Sequence, residues 1–86
     1  MSEQLVGTVT HYFGKPQVAI VEITEGDLHL GDTIRIAGHS SNFTQEIQSM
    51  ELEHTAVDSA KIGDSVGIQV RERVHEHDSV YRLTAD

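Results

Sequence analysis

A glycine-aspartate pair followed by a β-branched run occurs twice, as Gly31-Asp32-Thr33-Ile34-Arg35-Ile36 and as Gly63-Asp64-Ser65-Val66-Gly67-Ile68. Glycine supplies the positive φ that tight turns need, and aspartate hydrogen-bonds the backbone of its own turn. The Ile/Val alternation that follows suits a half-buried strand. Asp32 and Asp64 therefore read as turn-closing groups rather than as a pair of acid-base carboxylates. His77-Asp78-Ser79-Val80 echoes the theme weakly, with histidine in place of glycine. Two such turn-strand units in 86 residues predict a small sheet folded back on itself in one domain, 1–86.

The remaining segments read as strands and turns. Residues 5–13 are β-branched and aromatic, with Leu5, Gly7, Val9, His11 and Phe13 in one phase, and Gly7 is expected at a bulge or a close backbone approach. Gly14-Lys15-Pro16 breaks that run, because proline lacks a ladder donor. A second strand is predicted over 18–24 and a third over 33–37. Across 43–54 the apolar phase changes between Phe43/Ile47 and Met50/Leu52. Its Gln, Glu and Met favour a helix, but the apolar residues do not extend into a helical stripe. A bent strand with a bulge near Gln48-Ser49 is predicted instead. Residues 55–61 read as a loop that tucks Val57 and Ala60 inward, with room for one helical turn, and strands follow over 65–70 and 77–83. Six or seven short strands at regular spacing predict an all-β fold, a closed or nearly closed antiparallel β-barrel.

Composition narrows the chemistry. Without cysteine there is no disulfide, no thiolate metal site and no cysteine nucleophile. Fourteen Asp and Glu against six Lys and Arg give a net charge of −8, which disfavours non-specific binding to phosphate backbones. Met1-Ser2-Glu3-Gln4 lacks the layout of a signal peptide, and no apolar run approaches the roughly 18 residues of a membrane span. The expectation is a cytoplasmic protein with no membrane contact. No Gly-x-Ser-x-Gly elbow is present. His75-Glu76-His77 places two histidines on one strand face, but no further ligand stands nearby in sequence, so no metal site is expected.

The ordered set of Val18-Ala19-Ile20-Val21-Glu22, Gly26, Leu28, the first glycine turn, Gly38, Ser49-Met50-Glu51-Leu52, Val57, Ala60 and the second glycine turn resembles the second, β-barrel domain of translational GTPases, the elongation factor Tu-like domain 2. The resemblance covers about 6–83 and is most specific in the two glycine turns with the Met-Glu-Leu segment between them. His11-Tyr12-Phe13 and Phe43-Thr44-Gln45 look more like the small free-standing elongation-factor-like proteins of prokaryotes. A related barrel is appended to collagenase-like peptidases. In the GTPases this domain helps hold the aminoacylated end of tRNA with acidic residues. Glu51 matches one acidic position, whereas the other falls on Ser59, and a usual strand glycine is replaced by Val21. A phosphate-binding Gly-x-x-x-x-Gly-Lys-Ser/Thr loop is absent, so the resemblance carries over no GTP binding.

The resulting expectation is a non-enzymatic, translation elongation factor-like binding module with no cofactor, whose ligand is a protein or an RNA terminus such as that of tRNA. The alternative is an accessory, substrate-presenting barrel for a separately encoded enzyme such as a collagenase-like peptidase. The binding residues expected are Tyr12, His39, Phe43, Glu51, Ser59 and Tyr81, with Phe13 and Phe43 assigned to the core and Tyr12 and Tyr81 to stacking on a ligand.

Overall fold

Three aspartates close three turns of one construction. In a computed structural model that describes residues 2–84, the Asp32, Asp64 and Asp78 carboxylates accept the N–H groups of His29, Lys61 and His75 at 2.9, 3.0 and 3.0 Å. Each aspartate N–H returns a bond to the carbonyl of that same residue, at 3.1, 2.9 and 3.1 Å. The residue before each aspartate has positive φ: 90° at Gly31, 96° at Gly63 and 75° at His77. The histidine turn therefore copies the two glycine turns in full.

Each turn also clamps one core residue from elsewhere in the chain. Gly31 N–H donates to the Ile47 carbonyl and Ile47 N–H to that of Asp32; Gly63 and Asp64 hold Ile23 in the same way, and His77 and Asp78 hold Val9, all six bonds lying between 2.8 and 3.0 Å. Ile47, Ile23 and Val9 are buried. A local turn signal thus fixes non-local chain pairs, which is how so small a chain without disulfides organises its core.

The strands in chain order are β1 (Ser2–Phe13), β2 (Val18–Ile23), β3 (Asp27–His29), β4 (Thr33–Ala37), β5 (Asn42–Glu46), β6 (Met50–Leu52), β7 (Thr55–Ala56), β8 (Ser59–Lys61), β9 (Ser65–Gln69) and β10 (Ser79–Thr84). Eight form one antiparallel sheet in the order β5-β4-β10-β1-β2-β9-β6-β7, and β3 pairs with β8 in a second. Their inward positions supply most of the core, chiefly Val and Ile with Leu28, Phe43 and Met50, and Ile47, Val70 and Val74 join it from the connections. Among the described residues no helix is long and apolar enough to cross a membrane.

The expected closed or nearly closed barrel is corrected by this topology, because both sheets are open. β5 and β7 end the larger sheet and no ladder joins them. The reason lies at 47–49, where the clamp on Ile47 takes its backbone and interrupts the segment expected as a single bent strand. A side chain of β5 reaches the end of β9 instead. Buried Gln45 donates from Nε2 to the Gln69 carbonyl at 2.7 Å and accepts Arg71 N–H at Oε1 at 2.8 Å, as a neighbouring strand would. Arg71 Nη2 donates to the Thr44 carbonyl at 2.6 Å beside it. Replacing Gln45 with Ala strands a carbonyl and an N–H, and the expected loss of about 2 kcal/mol is measured as a lowered urea midpoint with unchanged slope.

Two other expectations change. Residues 55–61 form β7 and β8 rather than a loop with a helical turn, and β3 pairs with β8 although the sequence reading assigned it no strand. Strand β1 carries an extra residue at Val6 against β10 and another at Thr10 against β2. Each single-residue insertion swaps the faces of everything beyond it. Tyr12 consequently packs against the core, while Phe13, expected inside, is 47% exposed.

Candidate functional site

The outer face of β1, β2, β9 and β6 forms an apolar groove whose floor is set by Gly67. Gly67 lies opposite Ile20 of β2 on one side and Glu51 of β6 on the other. A Cβ at this position would stand 3.2 Å from Val18 Cγ1 and 3.5 Å from Ile20 Cδ1, so glycine lets these two side chains close over the strand and form an apolar floor with it. Phe13 and Pro16 make one wall, and the His11 ring props Phe13 at a centroid distance of 4.5 Å and a tilt of 59°. Glu51, Glu53 and His54 line the opposite wall. The groove encloses about 630 Å³.

Glu53 and His54 form the two-residue loop between β6 and β7, since Leu52 pairs with Thr55. Both have positive φ, 51° and 65°. A two-residue hairpin loop of this kind favours Asn-Gly, and side chains larger than glycine cost about 1–2 kcal/mol each there. The strained loop carries an acid and a histidine to the groove wall.

The six residues expected to bind a ligand do not share one groove. Glu51 lies in the groove just described, and Tyr12 borders a separate hollow with His11, Arg73 and His75. The Arg73 guanidinium lies 6.0 Å from the Tyr12 ring centroid. Ser59 faces a small polar hollow with Asp27, His29 and Lys61. Phe43 is 7% exposed and belongs to the core. His39 is exposed in the turn between β4 and β5. Tyr81 lies under Arg35, whose guanidinium carbon is 4.9 Å from the ring centroid and which donates from Nη1 to Asn42 Oδ1 at 3.1 Å and from Nη2 to Glu3 Oε1 at 3.0 Å. The hydrogen bond from Arg35 holds the Glu3 carboxyl below its usual range, and Glu3 raises the Arg35 guanidinium in turn.

Phe13, Val18, Ile20 and Gly67 were missed as site residues. Gly67 carried a signal, since a glycine within a strand marks a bulge or a close approach. The exposure of Phe13 carried none, because it depends on the bulge at Thr10. Among the described residues no group of three or more His, Asp or Glu side chains is placed to hold a metal ion. His75 Nδ1 lies 3.3 Å from Ser41 Oγ, and His77 serves the third turn.

Comparison with known proteins corrects the expected likeness to free-standing elongation-factor-like proteins. An uncharacterized protease of Methanocaldococcus jannaschii is 38% identical over 79 residues, 91% of this chain and 19% of that protein. A collagenase of Porphyromonas gingivalis is 36% identical over 79 residues, again 91% of this chain and 22% of that protein. The chain therefore spans about a fifth of the length of the curated relatives it matches. The C-terminal domain of a Geobacillus thermoleovorans putative U32 peptidase superposes with a TM-score of 0.86 at 21% identity, covering 94% of this chain and 93% of that one. Its selenomethionine variant gives 0.84 at 22% identity, covering 90% and 96%. These likenesses run to a protease, a collagenase and the C-terminal domain of a putative peptidase, and not to the free-standing elongation-factor-like translation modules expected. The model of the elongation factor Tu domain 2 family matches residues 17–76, most of the chain, and to that family the chain belongs.

Proposed function

We propose that this chain is an accessory domain of a collagenase-like peptidase, one that presents polypeptide substrate and performs no bond chemistry itself. One observation carries the reading: the chain matches a discrete C-terminal domain of a putative peptidase almost end to end. Its sequence relatives, a protease and a collagenase, agree with this reading. The groove over Gly67 provides a surface for an extended segment, with an apolar floor and polar groups at one edge.

The test exchanges this chain for the matching segment of the Porphyromonas gingivalis collagenase and compares that chimera with the whole enzyme and with one lacking the segment. Deletion is expected to raise KM for a protein substrate about tenfold, which corresponds to about 1.4 kcal/mol of binding, and the exchange to restore most of it. An unchanged KM on deletion, or a chimera no better than the deletion, overturns the reading.

A further inference from the structure

The groove's two walls differ in chemistry. The floor and one wall are apolar, made by Val18, Ile20, Gly67 and Phe13, whereas the other wall presents Glu51 and Glu53. Among the described residues neither carboxylate takes part in a hydrogen bond or an ion pair, and no Lys or Arg lines the groove. Four of the six Lys and Arg are engaged or placed elsewhere, Arg35 on Glu3, Arg82 on Asp27, Arg71 on the Thr44 carbonyl and Arg73 beside Tyr12; Lys61 lines the hollow at Ser59, and Lys15 stands in the turn between Phe13 and Pro16 without lining the groove. An apolar floor ending at two unpaired carboxylates complements one kind of side chain, a long methylene stem with a cationic head.

We infer that the groove binds an extended polypeptide segment through an arginine or lysine side chain, the stem lying over Gly67 and the head group meeting Glu51 and Glu53. The inference rests on the substrate-presenting reading and adds to it the class of substrate, a basic segment with apolar neighbours. Arginine fits better than lysine, because its planar fork engages carboxylates with two donors and stacks on an exposed ring such as Phe13. The net charge of −8 draws such a segment in and repels acidic ones. The two-residue Glu53-His54 loop sets the backbone position from which one of the carboxylates reaches the wall.

The experiment is an amide NMR titration of the full chain with three capped tripeptides, Leu-Arg-Leu, Leu-Gln-Leu and Leu-Glu-Leu. The arginine peptide is expected to shift the amides of Ile20, Glu51 and Gly67 and to bind about tenfold more tightly than the glutamate peptide. Its affinity is expected to fall as salt rises, since the pair is partly exposed. The double variant Glu51→Gln with Glu53→Gln should erase the preference for arginine over glutamine. Gly67→Val, which keeps the charges and fills the floor, should weaken both peptides. Equal binding of the arginine and glutamate peptides, shifts confined to another face, or a preference that survives the double variant overturns the inference. The collagenase exchange is judged separately. Selective peptide binding with an unaltered KM overturns only the peptidase reading, whereas a successful exchange with equal peptide binding overturns only the basic-segment inference.

Discussion

Gly7→Ala is expected to cost about 3 kcal/mol or more, a large share of the roughly 5–15 kcal/mol that holds a domain folded. A Cβ at Gly7 would overlap the Glu22 carbonyl oxygen and stand 3.0 Å from the Glu22 carbonyl carbon and 3.2 Å from Ile23 Cα. All three are backbone atoms of β2, so no side-chain rotation relieves the overlap. Gly7 lies one residue past the bulge at Val6 and pairs with both Val80 and Ile23, where β1 passes from one partner strand to the other. Moving β2 outward would also pull on Ile23, which the Gly63-Asp64 turn clamps. Equilibrium urea unfolding checks the prediction, with Gly14→Ala as the control. At Gly14 the nearest atom to an added Cβ is Tyr12 Cε2 at 3.8 Å, an ordinary contact, so a change within about 0.5 kcal/mol is expected. A Gly7→Ala protein as stable as the parent would show that β1 and β2 do not approach so closely.

Leu28→Ala is expected to cost about 2–5 kcal/mol, with Ile62→Ala changing stability by no more than about 0.5 kcal/mol. Both residues are large aliphatics close to a Gly-Asp turn, yet Leu28 is fully buried and Ile62 is 60% exposed. Leu28 is the central residue of β3, opposite Ala60 of β8, and with Ala60 it plugs the two-stranded sheet into the common core. Its loss leaves a void under a short pair of strands that has few other apolar anchors. Thermal unfolding followed by far-ultraviolet circular dichroism reads the difference, since 1 kcal/mol moves the midpoint of a domain this size by roughly 4–8 °C. Equal midpoints for the two variants would mean that the small sheet is not part of the cooperative unit.

The proposed peptide groove is built from these same packing features. The same bulged strand that requires glycine at position 7 turns Phe13 outward, and the pairing of β2 with β9 sets Val18 and Ile20 over Gly67 as the groove floor. Stability and the shape of the groove both depend on close backbone approaches. Variants aimed at the groove are therefore better chosen at the exposed carboxylates Glu51 and Glu53 than at its floor.

The sequence by itself determined the features whose physics is local. Gly31-Asp32 and Gly63-Asp64 adopt the expected turns because a positive φ and a carboxylate three residues after an amide are properties of four adjacent residues. The strands Thr33–Ala37 and Ser65–Gln69 follow because each turn delivers an alternating Ile/Val run in a set phase. Glu51 was singled out through family resemblance and does line the groove. Tertiary structure alone decided which core residue each turn clamps, because Ile47, Ile23 and Val9 lie far along the chain from the turns that hold Gly31, Gly63 and His77. It also decided that the sheets stay open, since the clamp on Ile47 withdraws its backbone from a ladder and the Gln45 side chain, rather than a ladder, joins β5 to the end of β9. The places of Phe13 and Tyr12 were decided in the same way. An alternation of apolar residues has two phases, and only pairing with β10 and β2, with extra residues at Val6 and Thr10, selects the one that puts Tyr12 against the core and Phe13 on the groove.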